Sequence, residues 1–200
     1  MKLNRFFWQY VLGALFAVWV LISYTPYVNL GANLIRTFGV LCVIVGVIGR
    51  IYATVFIGGM KNEGVNGTKF IDYGAYSLCR NPLYLFSFIA LIGLLALKAQ
   101  IVLILIGIVL YLWIYHYTIL AEEKFLASKF GASYEQFLKN TSRFFPKFKG
   151  FFYPETIIVK PAFLHKELKR AVNWFIAVLV LLLIELLHAY EFLPNLYTLY

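Results

Sequence analysis

Apolar residues gather into five runs separated by short polar breaks: Phe6–Tyr24, Leu34–Ile57, Leu83–Leu97, Ile101–Ala121 and Val172–Tyr190. A membrane-spanning helix needs about 20 such residues. Four runs are near that length or longer, and the third, with fifteen, is short. Only Lys98, Ala99 and Gln100 stand between the third and fourth runs. A connection that short forces antiparallel neighbours, so these two runs form a tight helical hairpin. The expected fold is all-α and integral to the membrane, with about five transmembrane helices and an amphipathic segment on the cytosolic side.

The breaks have their own pattern. Segment 58–82 is rich in turn residues: Gly58, Gly59, Asn62, Gly64, Asn66, Gly67 and Gly74. Segment 122–171 is the only long stretch expected outside the membrane. Its first residues, Glu122 to Phe130, keep helical spacing and continue the fourth helix as far as Gly131, a natural stop. Ser133 with Gln136 three residues on reads as a capping box. A short amphipathic helix carrying Phe137 and Leu138 follows, limited by Pro146. With no internal repeat and no Gly/Ser linker, residues 1–200 read as one membrane domain. Its motif-bearing core is 74–146, and an extra C-terminal helix lies at about 172–190.

Composition agrees with lipid as the solvent. Hydrophobic residues make up 62% and charged residues 14%, against about a quarter charged in soluble domains. The net charge of +9 would suggest nucleic acid in a soluble protein. Here the basic residues lie between apolar runs, so no nucleic-acid partner is expected and the charge sets topology. With the N-terminus in the cytosol, segments 1–5, 58–82 and 122–171 hold 15 of the 18 Lys and Arg residues. The C-terminus then lies outside, in a bacterial inner membrane or its equivalent. Lys2 and Arg5 precede the first run as in a signal peptide, but no small-x-small cleavage site follows, so the run reads as an uncleaved helix. Cys42 and Cys79 read as free thiols.

Polar residues are scarce, which makes their placement informative. Glu122 and Glu123 are adjacent at the end of the fourth run, where the helix dipole disfavours negative charge. They need a cationic partner; Lys124 on a solvated helix end is the plain candidate. The second cluster is Gly74-Ala75-Tyr76-Ser77-Leu78-Cys79-Arg80-Asn81-Pro82-Leu83-Tyr84. Pro82 fits the first turn of the third helix, and free backbone N–H groups there can receive an anion. The plain alternative is a basic flank with a proline helix start. Both clusters lie at the same end of the hairpin, and packing brings such ends within roughly 10 Å. A basic, amide-rich turn facing two carboxylates suits a zwitterionic ligand.

The order Arg80-Asn81-Pro82-Leu83-Tyr84, apolar hairpin, Glu122-Glu123-Lys124-Phe125-Leu126, Phe130-Gly131-Ala132-Ser133-Tyr134, Arg143-Phe144-Phe145-Pro146 resembles the isoprenylcysteine carboxyl methyltransferase and phospholipid methyltransferase superfamily. The family pattern is Arg-His-Pro-x-Tyr, a hairpin, Glu-Glu-x-x-Leu, Phe-Gly-x-x-Tyr and a basic-aromatic-Pro close. Asn81 replaces the family's His, and an amide cannot take a charge near neutral pH. The resemblance implies S-adenosylmethionine as cofactor, bound near the cytosolic surface, and a lipid-soluble methyl acceptor entering from the bilayer. It implies that Gly74, Tyr76, Arg80, Asn81, Pro82 and Tyr84 line the cofactor. Glu122 and Glu123 would hold its amino or ribose groups and, with Arg143, form the catalytic set. No metal is expected. An anionic acceptor, a carboxylate or phosphate, needs no general base, and Arg143 or Arg50 could orient it; an amine would need a base. Two rivals stand beside this reading: an NADPH-dependent membrane reductase of sterol-reductase type, and a non-catalytic membrane scaffold of the same fold.

Three other sets stay open. Arg50, inside the second run, is either a site residue or a side chain that snorkels to the surface. His116, seven residues before Glu123, either lines a substrate cavity or bonds a neighbouring helix. Glu185 and His188, three apart and away from the proposed site, can hydrogen-bond each other, and read as a structural pair or as contacts to another helix.

Overall fold

The computed structural model describes residues 5–26, 30–57 and 70–198. The turn residues between 58 and 69 lie outside the described residues. The helices are α1 (Arg5–Ile22), α2 (Leu30–Ile57), α3 (Ala75–Leu78), α4 (Pro82–Ala96), α5 (Ile101–Phe130), α6 (Ala132–Asn140) and α7 (Pro161–Ala189). α2, α5 and α7 are long and apolar enough to cross a membrane, and α1 and α4 contribute shorter apolar helices. The protein is all-α and membrane-embedded, apart from a two-residue parallel bridge of Ser23–Tyr24 with Tyr197–Thr198.

Two helix boundaries differ from the sequence reading. α7 begins at Pro161 rather than near 172. Hydropathy finds only its apolar part, whereas the polar first third is fixed by proline in the first turn and by Glu167 and Arg170 bonded one turn apart. α6 begins without the Ser133 capping box. Gly131, at φ +57°, is its N-cap, and the Ser133 hydroxyl donates to the Phe130 carbonyl at 2.9 Å. The left-handed glycine lets α6 start directly after α5, so Ser133 already stands inside the first turn.

The chain divides into two compact units. The first comprises residues 1–45, 88–118 and 173–200. Within it, α2 and α4 touch backbone to backbone: a Cβ on Gly39 would lie 2.7 Å from the Gly93 carbonyl oxygen. Small residues at such a crossing allow the close van der Waals contact that holds helices together in lipid. The hairpin turn is tight, with Ala99 N–H donating to Ala96 C=O at 2.9 Å and Ala99 at φ +53°.

This turn carries Lys98 into the interior, where neither it nor Glu185 has solvent exposure. The Lys98 ammonium bonds the Glu185 carboxylate and donates to the Ser23 carbonyl at 2.6 Å. Arg36 lies 3.7 Å from the same carboxylate and donates to the Thr25 carbonyl. Gln100 accepts from Trp19 Nε1 at 2.7 Å. Glu185 therefore pairs with Lys98 and Arg36 instead of His188. His188 Nε2 lies 3.0 Å from the Val20 carbonyl and Nδ1 2.8 Å from Asn195 Oδ1. His116 is exposed and edge-on to Tyr117.

The second unit comprises residues 46–87 and 119–172. Its core is Ala53, Phe56, Ile57, Ile71, Ala75 and Tyr76, with Tyr73, Leu83 and Ile157 packed against it. Beside it, Phe70 meets Phe130, Tyr134 and Phe137 with ring centroids between 5.1 and 5.5 Å. Tyr134 is buried, and its hydroxyl is pushed up to about 12 by desolvation and then by the Glu123 carboxylate.

Two outcomes are expected. Lys98→Met and Glu185→Met each break the buried Lys98–Glu185 pair, leaving one of its charges in the interior, and destabilise by about 3 kcal/mol. The double variant loses much less than the sum, as a double-mutant cycle of unfolding in detergent will show. Tyr134 keeps its proton in the folded state to a higher pH than in the unfolded chain, so stability is full below about pH 10 and falls as pH rises towards 12. Tyr134→Phe removes that loss, by roughly 2 kcal/mol at the alkaline end, in unfolding midpoints measured against pH.

Candidate functional site

The site is built within the second unit from a turn, the end of one helix and a strap. The turn is α3 and its exit to α4. Gly74 sits at φ +59°, and a Cβ there would strike the Phe56 ring. Its N–H donates to the Phe152 carbonyl at 2.7 Å. Pro82 is buried as the first residue of α4, and the Asn81 carbonyl accepts the first α4 bond, from Leu85, at 3.0 Å. The strap, residues 141–153, is stitched to this turn. Arg80 N–H donates to Ser142 C=O at 2.8 Å, Lys147 N–H to Leu78 C=O at 2.9 Å, and the Asn81 side-chain amide to Arg143 C=O at 3.3 Å.

The carboxylates come from the last turns of α5. Glu123 is buried and meets two guanidinium groups. Arg143 binds it in bidentate fashion, Nε to Oε1 at 3.2 Å and Nη2 to Oε2 at 2.8 Å. Arg80 Nε lies 3.5 Å from Oε1, while its Nη1 donates to the Leu138 carbonyl at 3.2 Å. A fork of this kind fixes geometry as well as charge. Glu122 points differently and accepts from the Tyr84 hydroxyl at 2.5 Å. The helix ends expected to lie within helix-packing distance thus meet in direct contact. The carboxylates find arginines and a tyrosine, and Lys124 is exposed.

A second charged group borders this one. Arg50 forks onto Glu167, Nε to Oε1 at 2.7 Å and Nη2 to Oε2 at 3.1 Å. Its remaining nitrogen reaches the Ser87 hydroxyl and, at 3.3 Å, the Leu83 carbonyl. Arg50 therefore pairs within the fold rather than snorkelling. Glu167 was not singled out in the sequence. The signal available was Pro161 as a first-turn residue followed by Glu167 and Arg170 at helical spacing.

Tyr76 is almost fully buried, and its hydroxyl has no hydrogen-bond partner among the described residues. Burial first, then the charges of Cys79 and Glu122, hold its pKa well above the ordinary tyrosine value; Arg50 opposes them. The hydroxyl is therefore a fixed donor among the site's charged groups. An unmet buried donor is destabilising by roughly 1–3 kcal/mol, which marks a place where a bound polar molecule would bond. Arg80 Nε is likewise buried without a hydrogen bond. Arg80 and Arg143 balance Glu122 and Glu123, with the unmet Tyr76 hydroxyl near them. A small ligand carrying both an ammonium and a carboxylate fits this donor set. Among the described residues, no three His, Cys, Asp or Glu side chains group as metal ligands.

Comparison with known proteins adds three findings. A family model described as phospholipid methyltransferase matches residues 34–133. A nickel-cobalt-cadmium resistance protein, NccN, of Alcaligenes xylosoxydans xylosoxydans is 28% identical over 160 residues, covering 80% of this chain and 72% of that protein. A cobalt-zinc-cadmium resistance protein, CzcN, of Cupriavidus metallidurans is 28% identical over 147 residues, covering 74% of this chain and 65% of that protein. No solved structure matches. The family match takes in the Arg80–Tyr84 turn, the hairpin and both glutamates, half of the chain in all, and the chain belongs to the phospholipid methyltransferase family.

Proposed function

We propose that this protein transfers a methyl group from S-adenosylmethionine to a lipid or lipidated acceptor, with the cofactor site facing the cytosol. The observation that supports this reading most directly is the convergence of Arg80, Arg143, Glu122, Glu123 and Tyr84, with the unmet Tyr76 hydroxyl beside them. Bound there, the cofactor supplies an activated methyl on a sulfonium. Arg80 and the first-turn N–H groups that follow Pro82 would receive its carboxylate, and Glu122 and Glu123 its amino or ribose groups. Tyr76 and Tyr84 donate hydroxyl hydrogen bonds, and Gly74 keeps the turn close. Asn81 contributes through its tie to the Arg143 carbonyl, a role that requires no imidazolium. The protein's share of the chemistry is alignment and exclusion of water.

Arg50 and Arg143 each fork onto a glutamate, but the Arg143 side chain keeps 36% exposure against 15% for Arg50 and is the cation more open to an anionic acceptor. Glu122 with Tyr84 is the pair to which an amine acceptor would pass its proton. Methylating an anionic headgroup removes a charge that binds metal cations, which would connect this reading to the metal-resistance names of the two relatives.

Calorimetric titration of purified protein with S-adenosylhomocysteine tests the reading, and saturable binding is expected. Absence of binding at millimolar ligand overturns it in favour of a scaffold, and binding of NADPH instead favours the reductase. Glu123→Gln and Arg143→Met each weaken binding by about tenfold or more, ~1.4 kcal/mol. Tyr84→Phe, which removes one hydrogen bond to a carboxylate, weakens it less. Labelling of a total lipid extract with tritiated methyl then separates acceptors. A methyl ester releases label as methanol in alkali, and an N-methyl product retains it.

A further inference from the structure

The strap has two unlike edges. Its inner edge is consumed by backbone bonds to the turn: Ser142 and Phe152 carbonyls accept from Arg80 and Gly74, and Phe152 N–H donates to the Ser77 hydroxyl at 3.2 Å. Its outer edge is aromatic and exposed, with Phe145 at 84%, Phe148 at 77% and Phe152 at 61%. Lys147 and Lys149 stand between these rings and are exposed too. Residues 139–153 contain Lys139, Arg143, Lys147 and Lys149 and no acidic residue.

Chain connectivity sets where this edge lies. The strap is bonded to Arg80, two residues before the apolar helix α4 begins, and the chain leaving it enters α7 at Pro161. A segment tied at that level to membrane helices lies in the interfacial layer. Aromatic rings are enriched there, lysine stems lie along apolar surface with their heads in the polar layer, and each lysine near an anionic leaflet gains about 1 kcal/mol.

We propose that residues 145–153 form an interfacial anchor that seats on an anionic lipid leaflet, with Phe145, Phe148 and Phe152 entering the headgroup–acyl boundary and Lys147 and Lys149 pairing with lipid anions. The inner edge of the same strap carries Arg143 and holds the Gly74–Asn81 turn, so the anchor and the candidate site share one segment. The seat rests on the strap's geometry alone and stands whether or not a methyl is transferred.

The test uses the full chain in lipid nanodiscs made either of phosphatidylcholine or of phosphatidylcholine mixed with phosphatidylglycerol. Phe148→Trp adds a reporter, read as the difference from the parent, and Phe145→Trp is a second reporter at a site equally free of packing. Expected is a blue-shifted added emission, quenched by lipid brominated near the top of the acyl chain, and more strongly with phosphatidylglycerol. Lys147→Gln and Lys149→Gln each lower the ratio of seated to unseated strap about fivefold in the mixed discs, and high salt does the same. Reporters quenched only by aqueous acrylamide in both discs overturn the anchor. Lipid quenching that ignores both phosphatidylglycerol and the lysines overturns its anionic specificity. Protection that appears only on adding an acidic soluble protein assigns the edge to a protein partner and overturns the lipid seat.

Discussion

The buried Glu123 carboxylate, held between Arg143 and Arg80, is the contact on which the site depends. One arginine comes from the turn before α4, the other from the strap after α6, and the carboxylate from the end of α5. Three chain segments far apart in sequence are thereby fixed around one charge. The backbone bonds of the strap to residues 74–80 repeat the same junction in neutral form. Removing the carboxylate would leave two guanidinium groups facing each other in a partly dry setting, where like charges repel far more than in water. Local geometry at Tyr84, Asn81 and Tyr76 follows from this junction, because each belongs to a segment that it clamps.

The same economy governs the other intramembrane charges. Isolated ions in apolar surroundings are expensive, so they appear in matched sets. Arg50 is matched by Glu167 and by hydrogen bonds to Ser87 and Leu83. Lys98 is matched by Glu185, with Arg36 close by. These pairs join residues on separate helices, Arg50 to Glu167 and Arg36 to Glu185. Gly39 and Gly93 add a steric condition, since a Cβ on either would strike the other's carbonyl oxygen.

Part of the candidate site was legible in the sequence. The Arg80–Tyr84 turn and the paired glutamates stand out because polar residues are rare in this chain, and Gly131 does end α5 as its position suggests. Other assignments failed for local reasons. Ser133 has the residue type and spacing of a helix cap, but Gly131 had already taken that place. Of the two readings open for Glu185 and His188, a bonded pair or contacts to another helix, the second holds, because each finds its partner on another segment. Glu167 escaped notice because its helix begins in a stretch too polar for hydropathy to register.

The sequence by itself determined the apolar helices, the tight hairpin and the family, since these depend on periodicity, length and the order of short motifs, all of which are local. Only the tertiary structure decided which acid answers which base. Ionic partners are chosen by distance across helices, and a carboxylate such as Glu123 carries no mark in the sequence saying that its fork will be Arg143, twenty residues on, rather than the neighbouring Lys124.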